Sequence, residues 1–483
     1  MKRLIVGVDG TWQTALHQTH PANLSNITRL VTALETVDQR GKTPIAQLKL
    51  YIPGVGTGEE VATGAYHGAL GEGVLEKVRE AYYWLAQNWD EGDEIFLFGF
   101  SRGSYIVRLL TTTIHLLGIL DRKSTLSLFP KIFDVLCSNW NPHKGGGAGA
   151  TELEPLLEAI KPAKVKQLEK AEGGFLIRVG LFDTVPLYHL RRLDPLNPST
   201  HISPLGLPDA PLEPHIQTAL HALAINEGRD AYEPLLWEVG PEGLREGQEL
   251  EQTWFAGVHT DIGGGNSIHD LSDLSLAWMV SRLIPHLAFD ISYLAALSAH
   301  PSAPWGSMKP RIRSHLLRSH PRLLPFPPSP NSSPPRNNQH FHPSILAQDP
   351  LNLPPSLHPL LHDPTNPLFV ELGDWEKDLK AKWAVKAVQL LSGVSETEAE
   401  NDTTPASPPP SPSSGAPPPA SLPLHKVVAA LSAFVPTARD RGDPLPAPAP
   451  ARKKEMRALV QDWRDAEAKI EGAGDSHRQR RGR

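Results

Sequence analysis

Cysteine is almost absent from this chain: Cys137 is the one cysteine among 483 residues. An intramolecular disulfide is therefore excluded, which fits a reducing compartment. No electropositive motif surrounds Cys137, so it is expected to be a small apolar residue rather than a nucleophile. Long apolar runs are missing too. No stretch reaches the roughly eighteen apolar residues of a spanning helix, and residues 427–435, the most apolar part of the tail, fall far short. The basic and apolar opening of residues 1–8 stops at Asp9, too short for a signal peptide, so a cytoplasmic location is expected. Charge of one sign is not in excess: 47 Lys and Arg against 53 Asp and Glu give a formal net charge of −6. That balance argues against a nucleic-acid binder, although residues 478–483 are basic. Metal-ligand motifs are also lacking. There is no H-E-x-x-H and no cysteine pair, and His358, His362 and Asp363 fall in a proline-rich stretch expected to be solvated. Neither a metal nor a cofactor is expected.

Proline, by contrast, is abundant at 48 residues. It concentrates after about residue 300, with serine, in residues 321–335 and 405–419. Such segments keep an extended, solvated backbone and bury too little surface to fold. Between them residues 374–391 carry a helical pattern. In residues 453–470, Met456, Leu459, Trp463, Ala466 and Ile470 share one helical face. That face suits docking on protein or a peripheral contact with a membrane.

The first 120 residues alternate between the two periodicities. Residues 4–8, 48–52 and 95–100 are strand-like. Residues 26–34 are helical in pattern, and Val74, Val78, Ala81, Leu85 and Trp89 form one helical face. This βαβα order predicts an α/β fold of the α/β-hydrolase kind, a mostly parallel sheet with helices on both faces. Residues 121–170 are expected to be a helical insertion or lid broken at Gly145–Gly147. Residues 175–182 are expected to be a strand, 216–225 a helix, 253–258 a strand and 274–283 a helix.

Gly99-Phe100-Ser101-Arg102-Gly103 gives this pattern chemical meaning. A serine between a buried strand and a helix sits on a strained turn with its hydroxyl exposed, and flanking glycines keep that turn free of Cβ clashes. The N–H of Arg102, at the helix start, points where an oxyanion would form. A serine hydroxyl needs a histidine base and a carboxylate to orient it. In α/β hydrolases these follow in the order Ser, acid, His. Asp183 and His259 supply that order, each at the end of an expected strand. Asp183 could instead cap the segment that follows it. Asp261 is a competing acid, better placed to shape the loop with Gly263 and Gly264. Gly10 or Thr11 is the candidate for the second oxyanion N–H, and Asp9 either lines the site or caps that loop. Trp12, Gly54 and Gly56 are expected to line the site, since the loop of residues 51–58 lacks the Lys-Ser/Thr end of a P-loop.

With these residues in place the chain resembles the type VI secretion phospholipase effector-like α/β-hydrolase family. The resemblance rests on Asp9-Gly10-Thr11-Trp12, on Tyr51-Ile52-Pro53-Gly54-Val55-Gly56-Thr57 and on Gly99 to Tyr105. It continues through Phe182-Asp183-Thr184-Val185, Asn226-Glu227-Gly228-Arg229, and Trp254 to Gly265, with Ala277-Trp278-Met279 and His342-Pro343-Ser344 resembling closing elements. It covers about residues 1–365. The resemblance implies a serine lipase or esterase, bacterial members acting on phospholipid acyl esters, with the nucleophile at Ser101, the acid at Asp183 and the base at His259. The chain departs from the family at Gln13, where Asn is usual, and at Asn266, where an aromatic residue is frequent.

The expected organisation is thus a catalytic domain over residues 1–365, containing the insertion at 121–170 and a disordered proline-rich loop at 321–340. A helical segment at 366–395, a disordered Pro/Ser-rich linker at 396–450 and an amphipathic helix with a basic tail at 451–483 follow. The expected partner is a lipid or other ester substrate. Thioester or small-ester hydrolysis and a non-catalytic interaction module on the same scaffold are the rival functions.

Overall fold

The structure is a computed structural model. It describes residues 1–11, 13–15, 23–56, 68–138, 177–186, 211–229, 232–240, 242–299, 301–312, 322, 324 and 337–391. The chain divides into two units, Met1–Pro405 and Ala406–Arg483, and every described residue belongs to the first. The Gly145–Gly147 break, the linker at 396–450 and the tail helix at 451–483 lie outside the described residues.

Among the described residues eight strands form one sheet. They are β1 (Arg3–Val8), β2 (Val37–Asp38), β3 (Ile45–Ile52), β4 (Glu94–Phe100), β5 (Ile177–Phe182), β6 (Ile216–Ala224), β7 (Glu249–Phe255) and β8 (Gln339–Phe341). Their order is β2-β3-β1-β4-β5-β6-β7-β8, and all neighbours are parallel except the β2–β3 pair at one edge. Every residue of β1, β4 and β5 is buried, as expected of strands covered on both faces.

Alternate residues of those strands enter two apolar layers. Leu4, Val6, Val8, Ile95 and Leu97 pack with α2 (Gly68–Asn88), α3 (Arg102–Leu117) and α5 (Phe129–Ser138). Ile5, Phe96, Phe98 and Phe100 pack with α1 (Asn26–Ala33) and, beyond the short helix α4 (Arg122–Ser127), with helices from the second half of the chain. These are α7 (Asp270–Leu283), α8 (Ile291–Leu297) and α10 (Asp374–Leu391), with α6 (His259–Gly263) and α9 (His358–Leu361) as short connecting turns. At the amino ends of the strands, Arg3 bonds Glu94 at 3.0 Å and Asp38 at 2.6 Å, and Arg178 reaches Glu94 at 2.9 Å. Buried pairs of this kind join β1, β2, β4 and β5 along one rim. The opposite rim gathers the carboxyl ends, where open α/β sheets bind ligands.

Several expectations change. In the stretch 216–225, expected to be a helix, Ile216–Ala224 form a strand. Their apolar run is that of a strand buried on both faces, and a short apolar run carries no periodicity that separates the two. Of the expected insertion or lid at 121–170, residues 121–138 are described and are helical: Ile132 and Phe133 are buried in the core, and the Phe129 ring stacks on Tyr82 with centroids 4.2 Å apart. In the stretch 321–340, expected to be a disordered loop, Arg322 is buried and Gln339 and His340 belong to β8; most of the remainder lies outside the described residues.

Nor does the fold break at residue 365. Leu379 and Trp383 of α10 are buried in the same core as α7, and the Trp383 ring meets Trp305 edge-on at 5.3 Å. Glu376 of α10 bonds His342 at 2.9 Å with both side chains fully buried, and it also receives Arg282 Nη1 at 2.8 Å. Among the described residues no helix is long and apolar enough to cross a membrane. If α10 is integral to the core, Trp383→Ala lowers the unfolding free energy by about 3–5 kcal/mol in urea titration; a change within experimental error would show that α10 is only appended.

Candidate active site

The backbone is most constrained where β4 and β5 end. Among the described residues the non-glycine positions with positive φ are Ser101 at 58°, Asp183 at 44° and Asn338 at 41°. Two of the three are the first residues beyond adjacent strands. Ser101 is held by its N–H donating to Phe182 O at 3.0 Å and its carbonyl accepting from Val185 N at 3.3 Å. Asp183 N–H donates to Ala222 O at 2.8 Å. The flanking glycines are sterically required. A Cβ on Gly99 would lie 2.5 Å from Ser104 Cα, and one on Gly103 would lie 2.3 Å from the Val8 carbonyl oxygen. The turn therefore packs backbone on backbone and puts Ser101 at the start of α3.

Asp183 is fully buried, and its two oxygens are saturated. Oδ1 accepts from Ala224 N at 3.0 Å and from Arg322 Nη1 at 2.6 Å; Oδ2 accepts from Arg322 Nη2 at 2.9 Å and meets His259 Nδ1 at 2.6 Å. Burial alone would raise the carboxyl pKa, but the Arg322 charge and the His259 contact outweigh it and hold the group below the usual carboxylate range. Arg322 is itself anchored by donating to the carbonyls of Ala224 at 2.7 Å and Tyr232 at 2.5 Å.

His259 opens α6, directly after β7. Its Nδ1 contact with Asp183 selects the tautomer that leaves Nε2 able to accept a proton. The imidazole packs 4.8 Å from the Phe100 ring and 4.8 Å, edge-on, from Tyr232. Phe100, whose ring meets the imidazole, is the last residue of β4 and immediately precedes Ser101. Gly263 makes room for it, since a Cβ there would fall 1.9 Å from the Phe100 ring. Burial lowers the His259 pKa and is the largest influence, opposed by Asp183. Glu227 accepts the His259 N–H at 3.2 Å and grips Arg229 through Nε and Nη2, both at 2.8 Å. The Arg229 guanidinium lies 3.4 Å from the Tyr232 ring centroid. Behind Asp183, the buried His221 receives the Thr184 N–H at 3.1 Å, and burial lowers its pKa to about 3, keeping it neutral.

The remaining expected residues occupy the loops around this cluster. Asp9 is buried and caps its own loop: Oδ1 accepts from Gly10 N at 2.8 Å, and Oδ2 accepts from the hydroxyls of Ser25 at 2.6 Å, Tyr51 at 2.9 Å and Thr28 at 3.0 Å. Burial raises its pKa against those donors. The Gly10 N–H is thus already engaged, which leaves Thr11 as the better oxyanion candidate of the two. Arg102 Nη1 donates to Thr11 Oγ1 at 3.2 Å and links the two loops. Gly54 lies against this turn, and a Cβ there would sit 1.7 Å from Gly10 O. Gly56 and Gly264 both adopt φ 82°. Asp261 Oδ2 accepts from the N–H of Val258 at 3.0 Å and of Arg311 at 3.1 Å, a loop-shaping part. Trp12 lies outside the described residues. Arg322 and Tyr232 were not singled out from the sequence. Arg322 sits beside prolines, and no local pattern announces that it turns into the core.

The family model for the catalytic domain of Tle1-like phospholipase effectors of type VI secretion systems matches residues 2–282. That match is shorter than the 1–365 expected from the motifs and ends before Arg322. No curated protein matches. A crystal structure of an uncharacterized protein from Pseudomonas aeruginosa is similar at 14% identity and a TM-score of 0.29, over 62% of this chain and 46% of that one. The chain thus spans less than half the length of that protein. More than half of the chain matches the family model, and the chain belongs to the Tle1-like phospholipase effector family, a family of lipid ester hydrolases.

Proposed function

We propose that the protein hydrolyses acyl esters of phospholipids through a Ser101 acyl-enzyme. The observation that supports this most directly is the 2.6 Å contact between His259 Nδ1 and the buried Asp183 carboxylate, formed beside the strained Ser101 elbow. Ser101 Oγ attacks the ester carbonyl carbon while His259 Nε2 takes its proton. The oxyanion is held by the backbone N–H of Arg102 and of Thr11. Collapse of that intermediate breaks the ester C–O bond, and the leaving alcohol, a lysophospholipid, takes the proton from His259. Water then attacks the acyl-enzyme with His259 again as base, releasing the fatty acid and restoring the Ser101 hydroxyl. Asp183 holds the tautomer and stabilises the imidazolium. Arg322 positions Asp183 by fixing the plane of its carboxylate.

Ser101→Ala lowers kcat for fatty-acid release from phospholipid vesicles by roughly 10⁴-fold or more, with an unchanged circular dichroism spectrum. Equal rates for variant and wild type would refute the mechanism. A wild type that cleaves short p-nitrophenyl esters but no phospholipid would instead favour the small-ester rival.

His259 must be neutral to act as base, and burial holds its pKa below the ordinary value. kcat/KM therefore falls as pH drops, with its midpoint below about 6.5. A midpoint above that value in a pH–rate profile would contradict the assignment.

Arg322→Met leaves a buried carboxylate short of its cation. The expected loss is about 3–5 kcal/mol of stability at neutral pH. Because the folded Asp183 pKa is depressed, the stabilisation is complete above the unfolded value of about 3.9 and is lost as pH falls below it. The gap between variant and wild type accordingly narrows under acid in denaturant titrations. A gap independent of pH would mean that Arg322 acts by packing alone.

A further inference from the structure

Three side chains far from Ser101 converge at the other end of the sheet. His115 lies in the last turn of α3. Glu213 and His215 flank Pro214, immediately before β6. Because α3 rises about 1.5 Å per residue, His115 sits about 20 Å along the helix from Arg102. One donor atom from each of the three lies within 4.8 Å of the others.

Their surroundings are organised. Thr112 Oγ1 donates to Glu213 Oε1 at 3.0 Å, while Oε2 lies 3.7 Å from His115 Nε2. The two imidazoles lie face to face, 9° from parallel with centroids 5.5 Å apart. The Ile216 N–H closes a turn onto Glu213 O at 3.1 Å. Gln248 Nε2 clamps that turn by donating to Glu213 O at 3.1 Å and Ile216 O at 2.9 Å, and Pro214 fixes the backbone between the two donors. Both ring nitrogens of His215 are inaccessible to solvent; the ring faces the Thr111 backbone, and among the described residues neither nitrogen makes a hydrogen bond of good geometry. Buried polar atoms ordinarily find a good partner, and among the described residues this ring has no more than the weak contact to the Thr111 backbone.

We propose that His115, Glu213 and His215 bind a divalent transition-metal ion, with zinc the best match. Two neutral imidazoles and one carboxylate form a ligand set that zinc favours, and a water molecule completes the tetrahedron. Zinc–nitrogen bonds of about 2.0–2.1 Å set tetrahedral donors roughly 3.3 Å apart, so the donors must close by up to roughly 1.5 Å, and the His115 ring must turn out of its stack on His215 to aim its in-plane lone pair at the ion. His115 is 45% exposed, which leaves it room to move and gives the ion a route in. Thr112 acts behind the first ligands by orienting the carboxylate. The ion would tie the end of α3, whose start carries the serine elbow, to the start of β6, whose end supplies the Ala224 N–H to Asp183. Its part is structural, and the inference is independent of the hydrolase reading. The sequence expectation of no metal rested on contiguous motifs, whereas these ligands come from distant segments.

The test uses the full chain, stripped with EDTA and titrated with zinc chloride by calorimetry and thermal unfolding. We expect one tightly bound zinc and a Tm that rises with zinc concentration. His115→Gln and Glu213→Gln should each weaken binding at least 10-fold, and Thr112→Val about 10- to 100-fold. Ester hydrolysis by the stripped and loaded forms should differ little. The chain has 21 histidines, so the variants are decisive. Zinc binding that persists unchanged in folded His115→Gln and Glu213→Gln, or a wild-type Tm indifferent to zinc, overturns the proposal. His115→Gln alters a half-exposed helix end and is expected to fold.

Discussion

One buried carboxylate organises the carboxyl rim of this sheet. Asp183 is out of contact with water and accepts from a backbone N–H, from two guanidinium nitrogens and from an imidazole. Those four bonds connect the ends of β5, β6 and β7 with a residue more than 130 positions further along the chain. Without the Arg322 charge, burial would favour a protonated acid unable to orient a histidine. With it, the carboxylate stays ionised and all of its hydrogen-bonding capacity is used. The same charge opposes protonation of His259, so Arg322 favours both partners in the forms that general-base chemistry needs.

The strain in the two neighbouring elbows follows from the same constraint. Residues held in unfavourable backbone regions cost of order 1–3 kcal/mol each, and Ser101 and Asp183 are such residues on adjacent strands. Each is held by hydrogen bonds from its neighbours: Ser101 lies between Phe182 and Val185, and Asp183 is tied to Ala222. The parallel pairing of β4, β5 and β6 is what makes these bonds available. Gly99, Gly103 and Gly263 then allow the close approaches, of backbone at the elbow and of the Phe100 ring beneath α6. The site is therefore a property of strand order as much as of the side chains.

Much of this was legible in the sequence. The βαβα alternation, the G-x-S-x-G turn and the positions of Asp183 and His259 after apolar runs depend on local periodicity, and the structure brings Asp183 and His259 into contact. What was not legible depends on contacts between distant segments. β6 resembles a helix because a doubly buried strand has no alternation to display. Arg322 stands among prolines whose composition speaks for solvated backbone, and only the fold turns it inward. Asp9 had two readings, and its bond to Gly10 N favours the cap. The chain also holds together past residue 365, because Glu376 pairs with Arg282 of α7 and with His342 just beyond β8, and Trp383 packs on Trp305, contacts that no local pattern reveals.

The central claim is that this constellation activates the Ser101 hydroxyl. Reaction of the full chain with a fluorophosphonate, followed by peptide mass spectrometry, tests it without knowledge of the natural substrate. The account predicts a single adduct on the Ser101 peptide, formed far more slowly in folded His259→Ala. An unmodified Ser101 in a fully folded protein, or labelling at the same rate without the imidazole, would contradict it.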